Sequence, residues 1–144
     1  VSGYLQQIHF ADGALVEAGE VLFTIDPKPY EAEVDRAKGE VSQLEARVDR
    51  LTKDFDRTKR LFETKSASQE AFDQVAGDLA EARAGLAAAK ASLQRSELDL
   101  GYTRVTSPIN GRVSKHEVSQ GNLITGGTTG QGTLLTTVVS VDPM

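Results

Sequence analysis

Val1-Ser2-Gly3-Tyr4-Leu5, Asp12-Gly13-Ala14-Leu15-Val16 and Leu22-Phe23-Thr24-Ile25-Asp26-Pro27 open the chain, and a second set echoes them near its end. The echo reads Ile109-Asn110-Gly111-Arg112-Val113, Gln120-Gly121-Asn122-Leu123-Ile124 and Thr137-Val138-Val139-Ser140-Val141-Asp142-Pro143. Gly3 and Gly13 are spaced as Gly111 and Gly121 are, and each half closes on a β-rich run ending in Asp-Pro. Neither half is long enough to bury a core alone, so the two are expected to complete one domain together. About seventy residues of heptad-patterned sequence separate them and must leave that domain and return to it. A long helical hairpin does this.

Working outward, the first helix is expected over 29–63, with Pro29 suited to a first turn. Its apolar seam runs Tyr30, Val34, Ala37, Val41, Leu44, Val48, Leu51, Phe55, Thr58, Phe62, in alternating steps of four and three with one polar exception. A second helix over 69–101 repeats the pattern through Phe72, Val75, Leu79, Ala82, Leu86, Ala89, Leu93, Ser96 and Leu100. Gly39, Gly77 and Gly85 interrupt these helices at a cost of roughly 1 kcal/mol each, which predicts local fraying or close packing there. The turn falls at 64–68, with Ser66 or Ser68 available as the N-cap of the second helix. So short a connection forces the helices antiparallel. Roughly 34 residues at about 1.5 Å each make a rod of about 50 Å. One seam leaves the flanking faces partly uncovered, which suggests side-by-side packing with other hairpins.

Composition narrows the function. A net charge of −5 disfavours nucleic acid or an anionic membrane as partner, since both reward clustered Lys and Arg. Residues 30–63 interleave nine acids with eight bases, as a solvated helix does. With no Cys there are no disulfides and no thiolate metal sites. No run approaches a membrane span and no signal-peptide pattern is present. The chain starts abruptly in a strand-like Val-Ser-Gly and stops just after Asp142-Pro143, and is expected to be the interior of a longer protein.

Strands are expected within Val1–Phe10, Val21–Ile25, Arg112–Val118 and Leu134–Val141, with Ser107-Pro108-Ile109-Asn110-Gly111 as a turn into the second half. Domain limits follow at 1–28 and 102–144 for the two β halves and 29–101 for the hairpin. Val1-Ser2-Gly3, Gly13 with Glu17-Ala18-Gly19, Ile25-Asp26-Pro27 with Tyr30, and Tyr102-Thr103-Arg104-Val105-Thr106-Ser107-Pro108-Ile109-Asn110-Gly111-Arg112-Val113 carry a resemblance. Across essentially its whole length the chain resembles the periplasmic adaptors of tripartite efflux pumps, the membrane fusion or HlyD-like family. The subgroup serving resistance-nodulation-division (RND) pumps fits best. The resemblance implies an α+β fold: a biotinyl/lipoyl-like β-sandwich split by a long antiparallel coiled-coil hairpin. It also implies a β-barrel and a membrane-proximal domain outside this segment.

That family carries a tip motif of Arg, three residues, Leu, six residues, Ser, and Arg57, Leu61 and Ser68 match it at the expected turn. The resemblance implies that they meet the periplasmic end of an outer-membrane channel. A guanidinium, an apolar side chain and a hydroxyl at a rod's end suit exposed helix ends and carbonyls. Read from residues alone, Arg57 is rather a solvated charge, Leu61 a cover for the loop and Ser68 a cap. Ala71 stands where Glu would complete a capping box with Ser68.

Other signals lead elsewhere or nowhere. Lys28 follows Asp26-Pro27, near where carrier domains display a modified lysine, but coiled coil replaces the β-turn a ligase would recognise, so no cofactor is expected. The glycine-rich 121–132 segment lacks the Gly-Lys-Ser/Thr of a phosphate loop and reads as a surface loop; in a ring of adaptors, Gln131 is a candidate to line the duct. His9 and His116 are isolated and suggest no metal site, and no catalytic constellation is identifiable. The expected role is therefore a non-enzymatic periplasmic adaptor. It would join an inner-membrane efflux transporter to an outer-membrane channel, self-associate as a ring (a hexamer, by resemblance), and attach to the inner membrane through parts outside this chain. An adaptor of a type I secretion or ABC-type exporter, and a coiled-coil oligomerisation module without transport, are the alternatives.

Overall fold

The computed structural model describes residues 1–126 and 132–140. Seven strands and two helices follow in the order β1 (Gly3–Ile8), β2 (Leu15–Val16), β3 (Val21–Ile25), α1 (Lys28–Glu63), α2 (Gln69–Tyr102), β4 (Arg104–Thr106), β5 (Gly111–Val113), β6 (Leu123–Ile124) and β7 (Val138–Val139). The chain divides into two compact units, 1–31 with 98–144, and 32–97.

In the first unit every pairing that involves the second half of the chain reaches back to the first or stays beside it. One sheet has the order β4-β3-β1-β6 and the other β2-β5-β7, all antiparallel. Strand β6 pairs with β1, β4 with β3, and β5 with β2, so each half supplies strands that the other lacks. Side chains from both sheets fill one core: Leu5, Leu22, Phe23, Ile25 and Ile124 from the first, Val16 and Val113 from the second. Leu22 and Phe23 are both buried because β3 carries a register shift against β4 between Val21 and Phe23, which turns two successive side chains inward. Phe10 meets Phe23 edge to face at 5.2 Å.

The repeated glycines do the same work in both halves. Gly13 (φ 80°) and Gly121 (φ 86°) are the third residues of tight turns closed by Ala14 N–H to Ala11 C=O and Asn122 N–H to Ser119 C=O. The residues before them keep negative φ, so these are type II turns, which require a positive φ at that place. At Gly3 and Gly111 a Cβ would stand 2.7 Å from Ile25 and 2.2 Å from the Val139 carbonyl oxygen, so here the glycine permits close approach.

The run after α2 stitches the halves together. Thr103 ends α2 by donating its hydroxyl to the Leu100 carbonyl (2.6 Å), and its own carbonyl accepts from Ile25 N–H (2.7 Å). Ser107 exchanges backbone bonds with Gly19 and Glu20 while its hydroxyl donates to the Ile109 carbonyl (2.6 Å). Asn110 Oδ1 accepts from Ala18 N–H at 2.6 Å. Thr103 and Ser107 are buried, and among the described residues no buried side-chain polar atom lacks a partner. Tyr30, in the first turn of α1, bonds both backbone groups of Ser2, and Asp26 Oδ1 accepts the Lys28 N–H at the helix start.

In the second unit the two helices pack along the seams expected of them. Val34, Ala37, Val41 and Leu51 on α1 are buried, as are Leu79, Ala82, Ala89 and Ser96 on α2. The remaining seam positions of this unit are half-buried. Ser96 satisfies its hydroxyl on the Ser92 carbonyl, one turn back (3.1 Å). Asp49 and Lys53 form an i,i+4 ion pair at 3.3 Å. Neither consequence expected of the helix glycines appears. Both helices run unbroken through Gly39, Gly77 and Gly85, and a Cβ at each would meet nothing within 4 Å. Among the described residues no helix is long and apolar enough to cross a membrane.

Candidate functional site

The five residues 64–68 that join α1 to α2 are held by both helix ends. Lys65 takes a left-handed φ of 59°; its N–H donates to the Phe62 carbonyl (3.0 Å) and the Ser66 N–H to the Leu61 carbonyl (2.7 Å). These two bonds make a Schellman cap, with lysine where glycine is usual. The Thr64 hydroxyl also donates to the Leu61 carbonyl, at 3.1 Å. On the other side Ser68 is the N-cap: its Oγ accepts from Ala71 N–H (3.1 Å) and its carbonyl from Phe72 N–H (3.1 Å). Capping uses the oxygen's lone pair and leaves the hydroxyl proton to donate elsewhere.

Arg57 and Leu61 lie one helical turn apart on α1, and Ser68 closes the loop that follows. Phe62 belongs to the seam, so the preceding Leu61 is turned about 100° away from it. Leu61 is consequently 43% exposed, an uncovered apolar side chain beside an ordered turn. Arg57 is open to solvent and pairs with Asp54 at 3.4 Å. Three features here escaped the sequence. Asp54 as partner of Arg57 is one of two acids within a turn of it, the other being Asp56. Lys65 has no glycine to mark its left-handed backbone. The third is a ring stack: Phe72 of α2 lies against both Phe55 (5.5 Å) and Phe62 (5.1 Å) of α1. All three rings were visible as seam residues; that they converge across the turn was not.

The other singled-out residues take local roles. Lys28 is an exposed residue at the start of α1 rather than part of a β-turn. His9 Nε2 contacts Thr24 Oγ1 at 2.6 Å. His116 gives its Nδ1 and its backbone N–H to Asp12 Oδ1 (3.0 and 3.2 Å), and these bonds hold the Asp12 carboxyl below the ordinary carboxylate range. Gln131 lies outside the described residues.

Residues 1–137 match the family described as RND MFP, barrel-sandwich hybrid domain. Over 144 residues the chain is 38% identical to the multidrug efflux pump subunit AcrA of Escherichia coli (strain K12). It is 42% identical, over the same length, to the efflux pump periplasmic linker BepD of Brucella suis biovar 1 (strain 1330). The whole of this chain is covered in both, and it spans 36% of the length of each. Among solved structures, a MacA-MexA chimera containing the Pseudomonas aeruginosa MexA alpha-hairpin domain is 26% identical with a TM-score of 0.66. That likeness covers 94% of this chain and 44% of the chimera. The family match runs through both β halves and the hairpin inserted between them, and the chain therefore belongs to the RND membrane fusion proteins as their barrel-sandwich hybrid portion.

Proposed function

We propose that this chain is the sandwich-and-hairpin portion of a periplasmic adaptor linking an inner-membrane efflux transporter to an outer-membrane channel. The hairpin end docks on the channel, and the β-sandwiches pack side by side into a ring, a hexamer, around the export duct. The role is mechanical: reach, sealing and alignment, with no chemistry performed by the chain. Attachment to the inner membrane belongs to other parts of the protein.

The observation that carries the docking is the exposed Leu61, held outward beside Arg57 and the capped loop ending at Ser68. An apolar side chain with a guanidinium one helical turn away and a hydroxyl at the close of the following loop suits a cleft between helix ends on a partner. The ring is supported by two exposed apolar patches on the sandwich. Tyr4 and Leu123 stand opposite each other on β1 and β6, and Leu15 and Val139 flank Arg112 across β2, β5 and β7.

Disulfide trapping in the full-length protein tests the docking. Because the Ser68 oxygen is engaged as a cap, the thiol is better placed at the exposed Ser66, and this segment contributes no other cysteine. Ser66→Cys is expected to cross-link to cysteines on the channel's periplasmic tip, and the cross-link to be lost when Arg57→Asp and Leu61→Asp are added. A cross-link indifferent to that double change would remove the assigned tip residues. Failure to cross-link at any tip position, with folded protein present, would remove the docking itself.

A further inference from the structure

Phe55 and Phe62 lie one heptad apart on α1, and Phe72 enters from the first turn of α2 between them. The Phe62 and Phe72 rings are stacked, 24° from parallel, and the Phe55 and Phe72 rings are tilted by 40°. Three of the chain's five phenylalanines are thus gathered at the end of the hairpin. A seam needs apolar side chains there, and leucine would serve; three rings in contact do something more specific.

The backbone shows what they hold. Phe62 is in the last turn of α1 and its carbonyl accepts the Lys65 N–H; Phe72 donates its N–H to the Ser68 carbonyl. The Phe62–Phe72 stack therefore clamps the two ends of the 64–68 loop, in which Ala67 is half-buried and the other four residues are exposed. Leu61 precedes Phe62 directly, and its carbonyl anchors both Ser66 and Thr64. The rotation of Phe62 thus fixes the outward direction of Leu61, and with it the face that carries Arg57. The left-handed Lys65 is strained for a residue other than glycine, and the ring stack adds a tertiary contact to the hydrogen bonds that hold this path.

We propose that Phe72, clamped between Phe55 and Phe62, is a positioning residue for docking: the ring stack presets the loop so that Leu61 and Arg57 face the partner. This rests on the docking reading above. A preset loop loses little freedom on binding, whereas a loop that must first be ordered binds more weakly for the same contacts.

The test is the Ser66→Cys cross-link to the channel in the full-length protein, measured in Phe72→Ala, Phe72→Leu and Phe72→Tyr backgrounds beside far-ultraviolet circular dichroism. Phe72→Ala is expected to lower the cross-linking yield about tenfold with helical content retained, and Phe72→Tyr, which keeps the ring, to restore it. If the alanine variant loses helix, Phe72→Leu decides, because it fills the seam without a ring and is expected to stay helical yet dock poorly. Wild-type yield in a folded Phe72→Ala or Phe72→Leu protein overturns the proposal. So does a folded Phe72→Tyr protein as defective as the alanine variant. The Arg57→Asp, Leu61→Asp protein separates the two claims: if it docks normally the tip reading fails, and if it alone fails to dock, only the positioning role is lost.

Discussion

Gly111 shows how a single hydrogen atom in place of a side chain can hold a sheet together. Its Cα faces the Val139 carbonyl so closely that β5 and β7 pair only because no Cβ intervenes. Gly111→Ala is expected to push β7 off the sheet and to cost about 1–3 kcal/mol, read as a lower urea midpoint for the sandwich with the helical signal preserved. Asp12 offers a second test at this scale, since its bonds from His116 tie the first half to the second. Its folded pKa lies below the ordinary value, so its contribution is present above about pH 4 and is lost as the pH falls through the lower folded value. The Tm difference between wild type and Asp12→Ala should therefore be full above the ordinary carboxylate range and shrink as the pH falls through the lowered folded value. A gap independent of pH would mean that the charge contributes nothing. Gly111 and Asp12 both stand in the recognisable repeat, whereas His116 carries no signal. Nothing in the chain's order joins Asp12 to a histidine so far away; the fold alone brings them together.

At the scale of elements, length decides what can be read beforehand. The helices carry seams sustained over several heptads, and their ends at Glu63 and Gln69 bound the turn that Ser68 marks. Strand β3 is visible as Val21–Ile25. By contrast β2 and β6, two residues each, are too short for any period to show, and β7 is Val138–Val139 within the expected Leu134–Val141. β4 hides for another reason: its flanking buried residues, Thr103 and Ser107, are polar, with hydroxyls satisfied locally by the Leu100 and Ile109 carbonyls and backbones bonded to the other half. The expected strand over Arg112–Val118 shortens to Gly111–Val113, because Ser114 and Glu117 bond the Thr137 and Leu135 backbones outside any regular ladder. The helix glycines give this scale its prediction. With open space at every Cβ position, Gly39→Ala and Gly85→Ala should each stabilise the hairpin by about 0.5–1 kcal/mol, visible as a higher Tm. Destabilisation by either would show that something in the intact protein packs against that face.

For the whole molecule, symmetry constrains how a ring is built. A ring of more than two copies needs a heterologous contact, in which one surface of a copy meets a different surface of the next. The sandwich has two such surfaces, one on each sheet: Tyr4 with Leu123, and Leu15 with Val139 about Arg112. All four apolar side chains are about 60% exposed or more, and each would contribute roughly 1.5–3 kcal/mol if fully buried against a neighbour. An isologous pairing of one patch with itself would stop at a dimer, so a ring built from a single kind of contact requires the first patch to meet the second. A mixing experiment separates these cases. Full-length protein carrying Tyr4→Ser and Leu123→Glu should be monomeric, and so should protein carrying Leu15→Glu and Val139→Glu, with helical content unchanged in both. Each retains the patch the other lacks, so an equimolar mixture should form one heterodimer and grow no further, measurable by native mass spectrometry. A mixture that stays monomeric, or single variants that still assemble into the wild-type ring, would show that the ring is held elsewhere. The heterodimer, if seen between variants that are monomeric alone, locates both sides of the contact at once, because a patch that paired with itself would already have dimerised one variant alone.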